Sequence, residues 1–141
     1  MQKHYTFIGR DAEQYGTNCA IVLHTIKYFV LSNRKFKRNC FNGKYWVYNS
    51  AKKWTRYFPF FSHHQIYRHL KHLEKSGAIL VDSFNKRGYD KTLWHTLSDA
   101  ELRSCLRDEY WKKRMAELQP THCGIAKPIP NINNNIIIEP Y

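Results

Sequence analysis

Within the stretch FPFFSHHQIYRHLKHLEKSG, residues 58–77, four histidines (His63, His64, His69 and His72) are interleaved with Tyr67, Arg68, Lys71 and Lys75. Side chains of these types can hold a metal, serve as an acid–base pair, or line a helix face that meets an anion. His69 and His72 stand three apart, a spacing that helical zinc sites use, but such a site needs two more ligands. Cys19, Cys40, Cys105 and Cys123 are scattered and form no Cys-x-x-Cys pair to supply them.

Catalysis finds no better footing. Metal-dependent nicking enzymes use His-apolar-His on a strand with a nearby tyrosine, whereas His69-Leu70-Lys71-His72 is spaced otherwise and falls in a helical pattern. The chain has no Gly-rich phosphate loop, no Ser-His-Asp order and no carboxylate pair with a reason to share a site. No enzymatic activity, metal or cofactor is expected.

The third possibility agrees with the composition. Lys and Arg number 23 against 11 acids, a formal charge of +12 that favours an anionic partner. The charge is confined to residues 1–118, because the stretch from Gln119 onwards carries one Lys and one Glu. With 141 residues, 43% apolar and 16% aromatic, the chain suits one domain with one core. MQKHYTFIGRDAE lacks the apolar centre of a signal peptide, and no run reaches the length of a membrane span. A cytoplasmic protein with reduced thiols is expected.

The elements that must position the basic stretch follow from periodicity and punctuation. His4 to Ile8 reads as a short strand or an extended lead-in. Ala20, Leu23, Ile26 and Val30 step by three and four, which predicts a buried helix from about Asn18 to Leu31. The basic run 34–44 follows as a connector and closes on the turn pair Asn42-Gly43. YWVYNS, residues 45–50, reads as a strand. Ser50 can cap a helix over Ala51 to Tyr57, which Pro59 ends. Ser62 and Gln65 form a capping box, so a helix should start at His63, bury Ile66, Leu70 and Leu73, and stop at Gly77. AILVDSF and LWHTL are strands joined by a loop containing Gly88, a hairpin. Ser98 and Glu101 form a second capping box, and Leu102, Leu106 and Tyr110 carry one helix from about Asp99 to Leu118. Residues 119–141 show no period and read as a flexible or partner-ordered tail.

Helix, strand, helix, turn, helix and hairpin is the order of a winged helix-turn-helix, an α+β fold, here spanning residues 1–98 with a C-terminal helix at 99–118. In that fold the second helix of the helix-turn-helix enters the major groove and the hairpin, or wing, reaches neighbouring backbone. The recognition-helix candidates are His63, His64, Tyr67, Arg68, Lys71, His72 and Lys75. The wing candidates are Lys86, Arg87 and Lys91, with Asp90 expected to hold the turn. Arg34, Lys35, Lys37, Arg38, Lys52 and Lys53 are candidate contacts to the DNA backbone. Trp46, Trp54 and Trp94 are assigned to the core. Tyr110 and Trp111 are candidates for a protein-facing surface, either a homodimer or a host protein.

Residues 4–97 also resemble the N-terminal winged-helix domain of phage and mobile-element replication proteins known as replisome organisers. The resemblance rests on Trp46-Val47-Tyr48-Asn49-Ser50, Phe58-Pro59-Phe60-Phe61-Ser62, Leu73-Glu74-Lys75-Ser76-Gly77 and Tyr89-Asp90-Lys91-Thr92-Leu93-Trp94, with Gly16, Ala20-Ile21-Val22-Leu23 and Tyr28-Phe29 upstream. The chain departs from that pattern at Lys91, His95 and Phe29, where the family usually has arginine, tyrosine and tryptophan. The resemblance implies a winged helix of mobile-element origin that binds double-stranded DNA in replication initiation. Transcriptional control would use the same DNA chemistry. The same scaffold could instead grip a host replication or defence protein.

Overall fold

The computed structural model describes residues 3–86 and 88–119. Arg87, Cys123 and the rest of the tail from Pro120 onwards therefore lie outside the described residues. Among the described residues the chain is a mixed α+β structure with six helices and two small antiparallel sheets.

After an extended lead-in, α1 (Gly9–Tyr15) and α2 (Thr17–Phe36) are separated by Gly16. The helix α2 is longer than apolar periodicity suggests, because Lys27, Ser32 and Asn33 are also buried along it. Arg34 and Lys35 accordingly belong to its last turn instead of to a connector. Two short strands, β1 (Cys40–Phe41) and β2 (Lys44–Tyr45), form a hairpin at Asn42-Gly43. Both turn residues have positive φ, 53° and 75°, the geometry of a tight two-residue hairpin turn that Asn-Gly adopts at least cost.

The strand β3 (Val47–Tyr48) leads to α3 (Ala51–Tyr57), whose N-cap Ser50 accepts a hydrogen bond from the Lys53 N–H. Phe58 leaves the helical region ahead of Pro59, as the proline ring demands. Then comes α4 (His63–Lys75), and Gly77 turns the chain at φ 83°, where a Cβ would be strained. The strands β4 (Ile79–Asp82) and β5 (Trp94–Leu97) pair antiparallel, and β3 joins the far edge of β5, giving the order β3-β5-β4. That arrangement is compatible with a winged-helix-like fold.

The C-terminal part is two helices, α5 (Asp99–Arg107) and α6 (Glu109–Glu117), not one. Asp108 leaves the helical region and its carboxylate accepts from the Tyr110 N–H, so it caps α6 after ending α5. Ser98 caps α5, but Glu101 does not return the second bond of a capping box. Its carboxylate turns inward, accepting from the Tyr15 hydroxyl at 2.7 Å and lying 3.3 Å from Lys27 Nζ.

One core cluster joins Val22, Leu23, Ile26 and Val30 of α2 with Ile66, Leu70 and Leu73 of α4 and with Val47, Ile79 and Leu97 of the sheet. Trp54, Phe58 and Phe61 close its α3 end, and Trp111 its α6 end. Trp46 and Trp94 are also buried. No helix among the described residues is long and apolar enough to cross a membrane.

Candidate nucleic-acid interface

The N-terminus of α4 is built by reciprocal capping. The Gln65 N–H donates to Ser62 Oγ at 3.1 Å, and the Ser62 N–H donates to Gln65 Oε1 at 2.7 Å. With Ile66, Leu70 and Leu73 buried, helical geometry leaves the remaining faces outward. All seven recognition-helix candidates, His63, His64, Tyr67, Arg68, Lys71, His72 and Lys75, are exposed. Lys71 Nζ lies 5.8 Å from the centre of the Tyr67 ring and 3.8 Å from Glu74.

His69 goes elsewhere. Its Nδ1 is 3.7 Å from Cys19 Sγ and its ring packs 4.9 Å from Phe61, while burial, then Arg68 and His72, lower its pKa. His69 and His72 therefore do not face a common ligand, and among the described residues no group of three or more His, Cys, Asp or Glu side chains gathers where a metal could sit.

The connection from β4 to β5 is organised by Asn85 and Asp90. Asn85 Nδ2 donates to the carbonyls of Asp90 and Thr92 at 2.9 and 2.7 Å, and its Oδ1 accepts from the Trp94 indole at 2.8 Å. Asp90 accepts from the Thr92 N–H and from the Tyr48 hydroxyl, both at 3.0 Å, which is the turn-holding role expected of it. Phe84 stacks on Phe41 at 4.7 Å, tying the β1–β2 hairpin to the base of this loop. Lys86 and Lys91 are exposed.

The α4 face and this loop meet in one cleft of about 580 Å³. His63, Tyr67 and Lys71 of α4 line it from one side, and Lys91, Thr92 and Leu93 from the other. Residues about twenty apart in the sequence thus present cations to one opening.

The remaining candidates fall outside that opening. Lys35 Nζ donates to the carbonyls of Met115 and Leu118 and so caps the end of α6. With Arg34 it lines a different cleft, of about 350 Å³, against Trp111 and Met115. Lys37 ends α2 in the left-handed region, and Arg38 donates to Ser32 Oγ at 3.1 Å. Lys52 and Lys53 are exposed in the first turn of α3. Trp111 is 1% exposed and packs with its ring centre 4.8 Å from that of His24, so it belongs to the core and not to a protein-facing surface. Tyr110 is partly exposed but hydrogen-bonds His24 Nε2 at 2.9 Å.

Sequence inspection missed Asn49, Asn85 and His95. Asn85 carried a signal, since it opens the turn-prone run NKRGYD; Asn49 and His95 stand in apolar strand contexts that give no hint of a cleft. Comparison with family models, with curated proteins and with solved structures returns no match to this chain.

Proposed function

We propose that the protein is a winged-helix, non-enzymatic binder of double-stranded DNA, with α4 as the recognition helix and the β4–β5 connection as the wing. The observation that carries this is the shared cleft, where Tyr67 and Lys71 of α4 and Lys91 of the loop border one opening. Arg68, His72 and Lys75 extend the exposed basic face along α4. Arginine and lysine donate to guanine O6 and N7 or to phosphates, and the wing cations add contacts to the backbone. The +12 charge supplies the long-range attraction. The resemblance to replisome organisers favours replication initiation in a phage or mobile element as the setting for this binding; control of transcription would use the same surface.

The test is a mobility shift over a salt series, with wild type and an Arg68→Ala/Lys71→Ala double variant, using duplexes from the region flanking the gene. Wild type should bind a flanking duplex at near-physiological salt and the double variant should lose at least about tenfold. Equal binding by the two proteins would refute the assignment of α4.

A further inference from the structure

The cleft between α4 and the wing has a floor that duplex binding does not use. Three residues lining it, Asn49, Trp54 and His95, are 6%, 3% and 3% exposed. Each carries a buried polar atom with no hydrogen-bond partner in the protein: Asn49 Nδ2, Trp54 Nε1 and His95 Nδ1. Buried polar groups are almost always paired, and three residues that line one opening each hold such an atom just beneath its surface, where a small adjustment of the side chain would let a ligand in the cleft pair with it. The walls are apolar, with Ile66, Leu70, Val81 and Leu93 among them, and Tyr67 offers an aromatic ring.

We infer that this cleft is a nucleobase site, taking one unpaired, carbonyl-bearing base from a DNA strand held by the recognition helix and wing. The inference rests on the DNA-binding proposal. The volume is within the range of ligand pockets, about 300–1,000 Å³. Asn49 Nδ2 and Trp54 Nε1 are donors and so suit the carbonyl oxygens of thymine or guanine. His95 is uncharged at neutral pH, because burial lowers its pKa to about 4, and its Nδ1 suits a ring N–H or a ring acceptor according to tautomer. The phosphates flanking the base would meet Lys71 and Lys91 at the rim. The two acids on the rim are already engaged, Glu74 opposite Lys71 and Asp82 with the Ser83 N–H. Proteins that take a base out of the stack read it through such a combination of edge hydrogen bonds and apolar or aromatic walls. A site of this kind lets binding of duplex be coupled to local strand opening.

The experiment is fluorescence anisotropy on the full chain at fixed salt with three duplexes of otherwise identical sequence. One is fully paired, one has a short internal run of thymine–thymine mismatches, and one has adenine–adenine mismatches in the same place. Two variants accompany wild type: Leu93→Trp, which fills the cleft from a position already 43% exposed, and Asn49→Ala, which removes a floor donor. Wild type should bind the thymine bubble about tenfold tighter than paired duplex and gain less on the adenine bubble. Both variants should lose that gain, and Asn49→Ala should bind paired duplex as wild type does. A bubble preference that survives in both variants, or its absence in wild type, overturns the inference. A parallel titration with thymidine monophosphate, read on the Trp54 indole N–H resonance, separates the sources of the base. A shift there without a bubble preference means a free nucleotide is the ligand and overturns the strand-derived base. Loss of binding to every duplex would count against the DNA proposal, and the nucleotide titration would still decide whether the cleft takes a base.

Discussion

Lys27 Nζ lies 2.7 Å from Asp11 Oδ2, with both side chains essentially withdrawn from solvent. Glu101 approaches the same ammonium at 3.3 Å, so one lysine of α2 holds together α1 and α5. Removing one partner of such a network strands an uncompensated buried charge. Lys27→Met should therefore destabilise the fold by about 3–5 kcal/mol in chemical denaturation. Adding Asp11→Ala to it should cost much less than the two single changes summed. Additive costs would mean that the carboxylate and ammonium are not energetically coupled.

Ser62→Ala deletes half of the α4 capping box and should cost about 1 kcal/mol of stability. The first turn, with His63 and His64, should show the largest rise in amide hydrogen exchange. Uniform protection along α4 would argue that the turn after Pro59 fixes the helix start without the cap.

For Lys91→Ala, an exposed position in the β4–β5 connection, no change in thermal stability is expected. On the DNA proposal, its affinity for duplex should fall evenly across sequences, and the slope of log K against log salt should flatten by about one unit. Arg68→Ala should differ in kind, weakening some sequences more than others. A Lys91 effect that depends on sequence would move base readout to the β4–β5 connection.

His95 gives stability a pH dependence of defined sign. Burial holds its pKa at about 4 against an ordinary value of 6.5. Between those values the unfolded chain takes up a proton that the folded protein refuses. Stability is therefore fully present above 6.5 and declines towards pH 4, by about 1.4 kcal/mol per unit. His24, lowered by its own burial and then by Arg114 and Lys27, acts in the same direction. His95→Phe should lose less stability than wild type between pH 7 and pH 5 in urea denaturation. Parallel pH profiles for the two proteins would show that His95 makes no such contribution.

Much of the fold could be read from the sequence because its punctuation is local. Ser50, Pro59, the Ser62–Gln65 box and Gly77 each act within four residues, and the bounds of α3 and α4 follow from them. What escaped depends on contacts distant in the chain. The helix α1 has seven residues, and its buried members are Asp11 and Tyr15, so no apolar period announces it. The extra turn of α2 is held by polar burial, including Asn33 Nδ2 donating to the Trp46 carbonyl. Glu101 sits at a capping-box spacing, but its side chain turns instead to the buried ammonium of Lys27. Trp111, amid Arg107, Lys112, Lys113 and Arg114, looks like an exposed aromatic in sequence, and the break at Asp108 lets α6 carry it into the core. The outward face of α4 was legible from its stripe alone. Its cleft with the β4–β5 connection was not, since that needs the β5 register with β3 and β4.

The link from Arg10 Nη2 to Ser104 Oγ, 94 positions apart, lies beside the pairing of Tyr15 with Glu101. Taken together these contacts rule out treating 99–118 as a detachable appendage. A truncation ending at Ser98 would discard Glu101 and Trp111, bare the side of α2 that carries His24, and leave a lysine inside the domain short of one of its two carboxylates. A minimal fragment for studying α4 must therefore keep both ends of the described chain, and a tag is better attached beyond Leu118 than spliced between α5 and α6.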